Sequence, residues 1–167
     1  FAETGDVEIN GINFPDANFR AIASAFDMDG SNTLSTTEIA AVKYLSCYNK
    51  KVKDLTGIEH FTALTTLQCD YNELTALDIS KTALTNLSCV NNQLTVLDVS
   101  RNADLKRLVC FGNKLTALDV GNNTALEALH CGSNELTALD VSKNTELKEL
   151  TCANNKLASL DLRKNME

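Results

Sequence analysis

The sequence predicts a solenoid, a stack of short coils that each add one strand to a parallel sheet, and three observations carry that prediction. Six cysteines recur at Cys47, Cys69, Cys89, Cys110, Cys131 and Cys152, at intervals of 22, 20, 21, 21 and 21 residues, and a fixed period of this size is the mark of a repeat architecture. A leucine stands two places before each cysteine, so apolar side chains alternate with polar ones as in a short strand with one face inward. Asparagine follows three places after the cysteine at Asn72, Asn92, Asn113, Asn134 and Asn155, where a side-chain amide can bond backbone groups that a turn leaves unpaired.

The whole unit reads LxxLxCxxNxLTxLDVSxN. From Cys89 the marks run through Asn92, Leu94, Leu97, Val99, Asn102, Leu105 and Leu108 to Cys110. The next unit repeats them as Asn113, Leu115, Leu118, Val120, Asn123, Leu126 and Leu129. About five units are present, counting a degenerate first one. The leucines fill the inside of the coil, and the LDVS segment returns along the outer side. Too few residues remain there for a long helix, so the outer face should be extended or a short 3-10 turn. Lys50 replaces asparagine in the first unit, and the unit from Cys69 reads Lys81-Thr82-Ala83 where the second asparagine belongs.

This pattern resembles the leucine-rich-repeat family, and within it bacterial surface proteins of the internalin type, which carry a cysteine-containing repeat of the same length. The resemblance covers residues 44–167. It implies a leucine-rich-repeat solenoid with parallel strands on the concave face, extended or 3-10 segments on the convex face, and a small helical N-terminal cap over residues 1–43. It also implies a non-catalytic, secreted or cell-surface role in protein binding or adhesion.

Six cysteines would suit a disulfide framework. The register argues otherwise: every cysteine holds a core place, on neighbouring parallel strands about 4.8 Å apart, with Cβ vectors that run side by side instead of converging. A ladder of buried free thiols, packing as small hydrophobes, is the favoured reading. Metal binding by the ladder lacks support, because no unit offers a histidine or second cysteine at ligand spacing.

Residues 1–43 do not share the period, and the open end of a solenoid needs a cover. Phe19, Ile22, Ala23 and Phe26 recur at helical spacing after Pro15, predicting an amphipathic helix over 15–26. The following DMDGSNTLSTTE resembles the calcium loop of the EF-hand family. Asp27, Asp29 and Ser31 fall at positions one, three and five, Thr33 at seven, Ser35 at nine and Glu38 at twelve. Asn32 takes the usual glycine place, which asparagine tolerates better than most residues. These six residues imply one structural calcium ion, since three carboxylates this close repel one another without a cation. Ser35 and Glu38 also make a capping box for a helix through Val42, so a purely structural reading stands beside the metal reading.

With leucine and cysteine inward, the alternate strand positions should face solvent on the curved sheet. The candidate ligand-binding residues are Tyr48, Asp70, Tyr71, Val90, Arg107, Val109, Phe111 and His130, with Phe111, Val109 and Val90 expected to cluster. Exposed aromatic and apolar groups beside an arginine have the composition of a binding hot spot. A second column, Asp78, Asp98, Asp119, Asp140 and Asp161, marks the outer face, and each aspartate is expected to bond turn amides in its own coil.

Net charge of -7 with no basic cluster disfavours nucleic acid as a partner. No apolar run is long enough to cross a bilayer, and no signal-peptide pattern opens the chain, so a mature or trimmed N-terminus is expected. His60 and His130 lack a sequence-supported nucleophile or orienting acid, which points away from an enzyme. A protein ligand is expected, with a glycan surface or a passive spacer as the alternatives. Because Glu167 falls within a unit, further sequence is expected after it.

Overall fold

The computed structural model describes residues 5–165. The period becomes one six-stranded parallel sheet. Its strands are β3 (Tyr44–Ser46), β4 (Thr66–Gln68), β5 (Asn86–Ser88), β6 (Arg107–Val109), β7 (Ala128–His130) and β8 (Glu149–Thr151), in chain order. Leu45, Leu67, Leu87, Leu108, Leu129 and Leu150 stand in register across the sheet. The first five are buried, each stabilising the stack by about 1.5–3 kcal/mol.

The cysteines form the next inward column. All six are free thiols, five buried and Cys152 half-buried. Burial pushes the thiols of Cys47, Cys89 and Cys131 up to about 12, which keeps them protonated and inert at neutral pH.

After each strand the chain turns through a left-handed residue, in turn Asn49, Tyr71, Asn91, Gly112, Ser133 and Asn154. The asparagine that follows closes the turn. Asn113 Nδ2 donates to the carbonyls of Cys89 and Cys110 at 2.9 and 3.1 Å, while its Oδ1 accepts the N–H of Leu94 at 3.1 Å. Asn72, Asn92, Asn134 and Asn155 repeat the arrangement. The outer side carries turns without regular helix, save one 3-10 turn, Ile58–His60, in the degenerate first unit. Each outer aspartate accepts a backbone N–H two residues on, as expected of the column: Ser80, Ser100, Gly121, Ser142 and Arg163 are the donors.

The N-terminal helix α1 spans Ala17–Ala23, shorter than the periodicity suggests. Asp16 is the reason: its carboxylate accepts the N–H groups of Asn18 and Phe19 and so fixes the start past Pro15, and the chain tightens into a 3-10 turn at Ser24–Phe26. Helix α2 (Thr36–Ala41) begins at the Ser35–Glu38 capping box, with both reciprocal bonds present. Between them β2 (Thr33–Leu34) pairs antiparallel with β1 (Val7–Glu8). Phe14 and Phe19 seal the first coil, in one continuous core with Leu45, Phe61 and Leu64. Gly57 permits this contact, since any side chain there would strike the Phe14 ring. No helix among the described residues is long and apolar enough to cross a membrane.

Candidate ligand-binding face and acidic loop

The outward sheet face holds most of the expected contact residues, but in an arrangement that strand alternation alone does not give. All three tyrosines of the chain are exposed: Tyr44 by 55%, Tyr48 by 47% and Tyr71 by 48%. They belong to the first two coils. Tyr48 and Tyr71 lie ring against ring at 5.4 Å between centroids, and the Tyr44 hydroxyl donates to Gln68 Oε1 at 2.9 Å. Tyr44 was not among the expected ligand residues. Its place just before the first core leucine marks it as outward, and aromatic exposure is the signal that singles it out.

The apolar centre expected at Phe111, Val109 and Val90 is more recessed. Both valines are half-buried, and Phe111 is 38% exposed. A Cβ at Gly132 would stand 3.2 Å from the Phe111 ring, so the ring lies over the neighbouring coil where that coil has no side chain.

Asp70 departs from the expectation of a solvent-facing contact, being 6% exposed. Its Oδ1 accepts the Ser88 hydroxyl at 2.5 Å and the Val90 N–H at 2.7 Å. A carboxylate beside unpaired donors on the next coil folds over onto them, and its work is to join coils. Ala128 and Gly132, also expected outward, are buried as well.

Arg107 and His130 are linked through Glu149. The Arg107 guanidinium stands 3.5 Å from Glu149 Oε2 and His130 Nε2 3.4 Å from the same oxygen. His130 Nδ1 is 3.0 Å from the Thr151 hydroxyl. The first coil is also more basic than the overall charge suggests. Lys43, Lys50, Lys51 and Lys53 are all exposed, and Lys53 reaches Glu73 at 3.5 Å.

In the cap, Asp27, Asp29 and Glu38 place one carboxylate oxygen each within 4.8 Å of one another. Asn32, at the usual glycine position, takes a left-handed φ of 62°. Asp27 accepts the N–H groups of Gly30, Ser31 and Asn32, and Asp29 accepts that of Ser31. Ser31 Oγ lies 2.8 Å from Thr33 Oγ1. Glu38 accepts from Met28 N–H with one oxygen, at 2.6 Å, and from Ser35 N–H and Oγ with the other. These bonds hold two carboxyls below their ordinary values: Asp29 through the Ser31 hydroxyl and N–H, and Glu38 through the Met28 N–H and Ser35. A carboxylate oxygen has acceptor capacity beyond one donor, so the capping bonds and a cation are compatible. The donor set is hard oxygen throughout, which suits calcium.

Known proteins share this architecture. The functional domain of Internalin J from Listeria monocytogenes, whose structure includes a cysteine ladder, is 34% identical, with a TM-score of 0.67 over 96% of this chain and 45% of that one. The fold is a leucine-rich-repeat solenoid. A second internalin from Listeria monocytogenes is 26% identical, with a TM-score of 0.79 over 92% of this chain and 47% of that one. A leucine-rich-repeat protein of Leptospira interrogans, 22% identical with a TM-score of 0.67 over 77% of this chain and 36% of that one, shares the fold. In sequence, the chain is 47% identical to Internalin J of Listeria monocytogenes serotype 4b over 69 residues, 41% of this chain and 8% of that protein. The chain thus spans under half the length of these solved relatives and matches a small part of the curated one. No family profile matches it.

Proposed function

We propose that this chain is a non-catalytic ligand-binding scaffold of a secreted or cell-surface bacterial protein, and that it takes a protein partner on the concave sheet face in interaction or adhesion. One observation carries the reading: all three tyrosines of the chain stand about half exposed on the first two coils, Tyr48 and Tyr71 ring against ring. Exposed tyrosine costs little conformational entropy on binding and offers both apolar and hydrogen-bonding surface. The likeness to internalins supports a surface role.

The test is capture by the immobilised chain of proteins exposed on host and bacterial surfaces, repeated with Tyr48→Ala, Arg107→Ala and Phe111→Ala. Loss of a captured protein, with a melting temperature near that of the parent chain, supports the reading. A chain that retains nothing is a spacer, and one that responds only on a glycan array is a sugar-binding module.

We further propose that Asp27, Asp29, Ser31, Thr33, Ser35 and Glu38 hold one structural calcium ion that staples the cap. Calcium should raise the melting temperature of the chelator-treated chain and leave Glu38→Gln unmoved. Without calcium, Asp29 and Glu38 have folded pKa values below their unfolded ones. Their contribution is therefore present above the ordinary carboxylate range near about pH 4 and is lost as pH falls through the lower folded values. Glu38→Gln should flatten that acid limb. A parent chain indifferent to calcium would remove the ion from this account.

A further inference from the structure

We infer that the tyrosine end of the sheet face takes an uncharged, proline-rich segment of a partner protein in the polyproline II conformation. This rests on the protein-binding reading of that face and names the chemistry of the partner.

A recess of about 350 Å³ opens on the sheet between β3 and β6, with Tyr44, Thr66, Gln68, Asn86, Ser88 and Arg107 among its walls. Its hydrogen-bonding groups are mostly of one sense. Gln68 Oε1 accepts the hydroxyls of Tyr44 and Ser46, at 2.9 and 3.2 Å. Asn86 Oδ1 accepts the Thr85 hydroxyl at 2.9 Å, and the Ser88 hydroxyl donates to the buried Asp70. Both amide oxygens are thus engaged, while among the described residues Gln68 Nε2 and Asn86 Nδ2 donate to no group of the chain. The recess therefore offers a ligand the N–H groups of two side-chain amides and of Arg107.

Such a lining calls for acceptors. An ordinary extended peptide brings an N–H with every carbonyl, and a sugar hydroxyl donates as well as accepts, so either would leave donors with only hydroxyl oxygens to receive them. Proline brings a carbonyl and no N–H. A polyproline II helix has no internal hydrogen bonds, so its carbonyls are free to accept. Charge gives no reason for an acidic ligand, because the one cation of the lining, Arg107, already faces Glu149 at 3.5 Å.

The aromatic part of the surface matches the same occupant. Outward positions alternate along the first strand as Tyr44, Ser46 and Tyr48, and the ladder runs on past Ser46 through the N–H groups of Cys47 and Asn49. Gln68, bonded to Ser46, stands beside the midpoint between two half-exposed tyrosines. Tyr71 sets its ring against Tyr48 with the planes tilted by 56°, so the two do not stack flat and each keeps a face open. Open aromatic faces interleaved with N–H donors are the means by which aromatic-lined grooves hold proline-rich segments. Tyr44 and Tyr48 lie roughly 13 Å apart along the strand, a distance that a polyproline II helix covers in about four residues.

The probe is fluorescein-labelled oligoproline of about nine residues, or three turns of the helix, titrated against the intact chain by anisotropy beside a Gly-Ser peptide of equal length. Oligoproline should bind about tenfold tighter than Gly-Ser or better, with the same affinity in low and high salt, since no charge is engaged. Gln68→Glu keeps an oxygen for the Tyr44 and Ser46 hydroxyls and removes the free N–H groups, so it should weaken binding about tenfold at an unchanged melting temperature. Tyr44→Ala should weaken it at least as much. Equal binding of the two peptides, binding that collapses in salt, or indifference to Gln68→Glu each overturns the inference. If oligoproline fails while the captured-protein assay retains a partner that Tyr48→Ala releases, the sheet face remains a protein-binding surface and the proline-rich occupant is refuted. A glycan array that responds where oligoproline does not refutes it in favour of a sugar.

Discussion

The middle coils turn two corners with a buried asparagine, and the two corners are made differently. After the strand, Asn113 and its equivalents use both ends of the amide, donating to two carbonyls and accepting one N–H from the preceding coil. Before the next strand, Asn102, Asn123, Asn144 and Asn165 donate only. Asn123 Nδ2 reaches the carbonyls of Val99 and Asn102 at 2.9 and 2.8 Å, while its buried Oδ1 has no hydrogen-bond partner. Thr82 fills the same corner one coil earlier with a bond inside its own coil: its hydroxyl donates to the Ile79 carbonyl at 2.7 Å, and its own carbonyl accepts from Asn102. The first corner is replaced only where the cap takes over its work. Beside Lys50, Asp16 accepts the Lys53 N–H, and Asn18 donates to the Lys51 carbonyl.

The contrast predicts unequal costs. Asn113→Ala leaves the buried Leu94 N–H without a partner, while the Cys89 and Cys110 carbonyls keep the amides of Asn92 and Asn134, and it should lower unfolding stability by about 2–4 kcal/mol in urea titration. Asn123→Thr takes one donor each from the Val99 and Asn102 carbonyls, which keep the N–H groups of Asn102 and Leu105, so its cost should be about 1 kcal/mol or less. Equal losses at the two positions would break the distinction, and a larger loss at Asn123 would reverse it.

What could be read in advance follows the same division between repeated and singular features. The strands, the leucine columns, the thiol ladder and the first asparagine ladder each recur five or six times, so a single misplacement would have spoiled all the others. The second ladder was visible as asparagines at Asn102 and Asn123, but their purpose was not, because periodicity marks a place as constrained without naming its bonds. Singular positions were harder. Alternation puts Asp70 and Val90 on one outward column, yet Asp70 folds over onto Ser88 and Val90, an outcome set by unpaired donors on the next coil. Phe111 was read as an exposed contact clustered with Val109 and Val90, whereas its exposure is limited by the ring settling over Gly132. The Ser35–Glu38 signature located the start of α2 because it depends on short local spacing.

The left-handed place beside the first ladder sharpens the comparison at its smallest scale. Five coils fill it with Asn49, Asn91, Gly112, Ser133 or Asn154, and one fills it with Tyr71 at φ 55°. Tyrosine pays about 1–2 kcal/mol for that conformation, which asparagine largely avoids. Against this stands the ring contact with Tyr48, worth about 0.5–1.5 kcal/mol for a well-packed pair and less for two rings half in water. Tyr71→Asn should therefore stabilise the chain slightly, by less than about 1 kcal/mol. In a Tyr48→Ala background, where no ring contact is left to lose, the gain should grow to about 1 kcal/mol. A tyrosine that costs its own fold stability while lying exposed is best accounted for by what it touches outside the chain, so the same substitution should weaken partner capture. If Tyr71→Asn instead destabilises the chain in both backgrounds, the residue is structural, and the tyrosine pair loses its standing as a contact site.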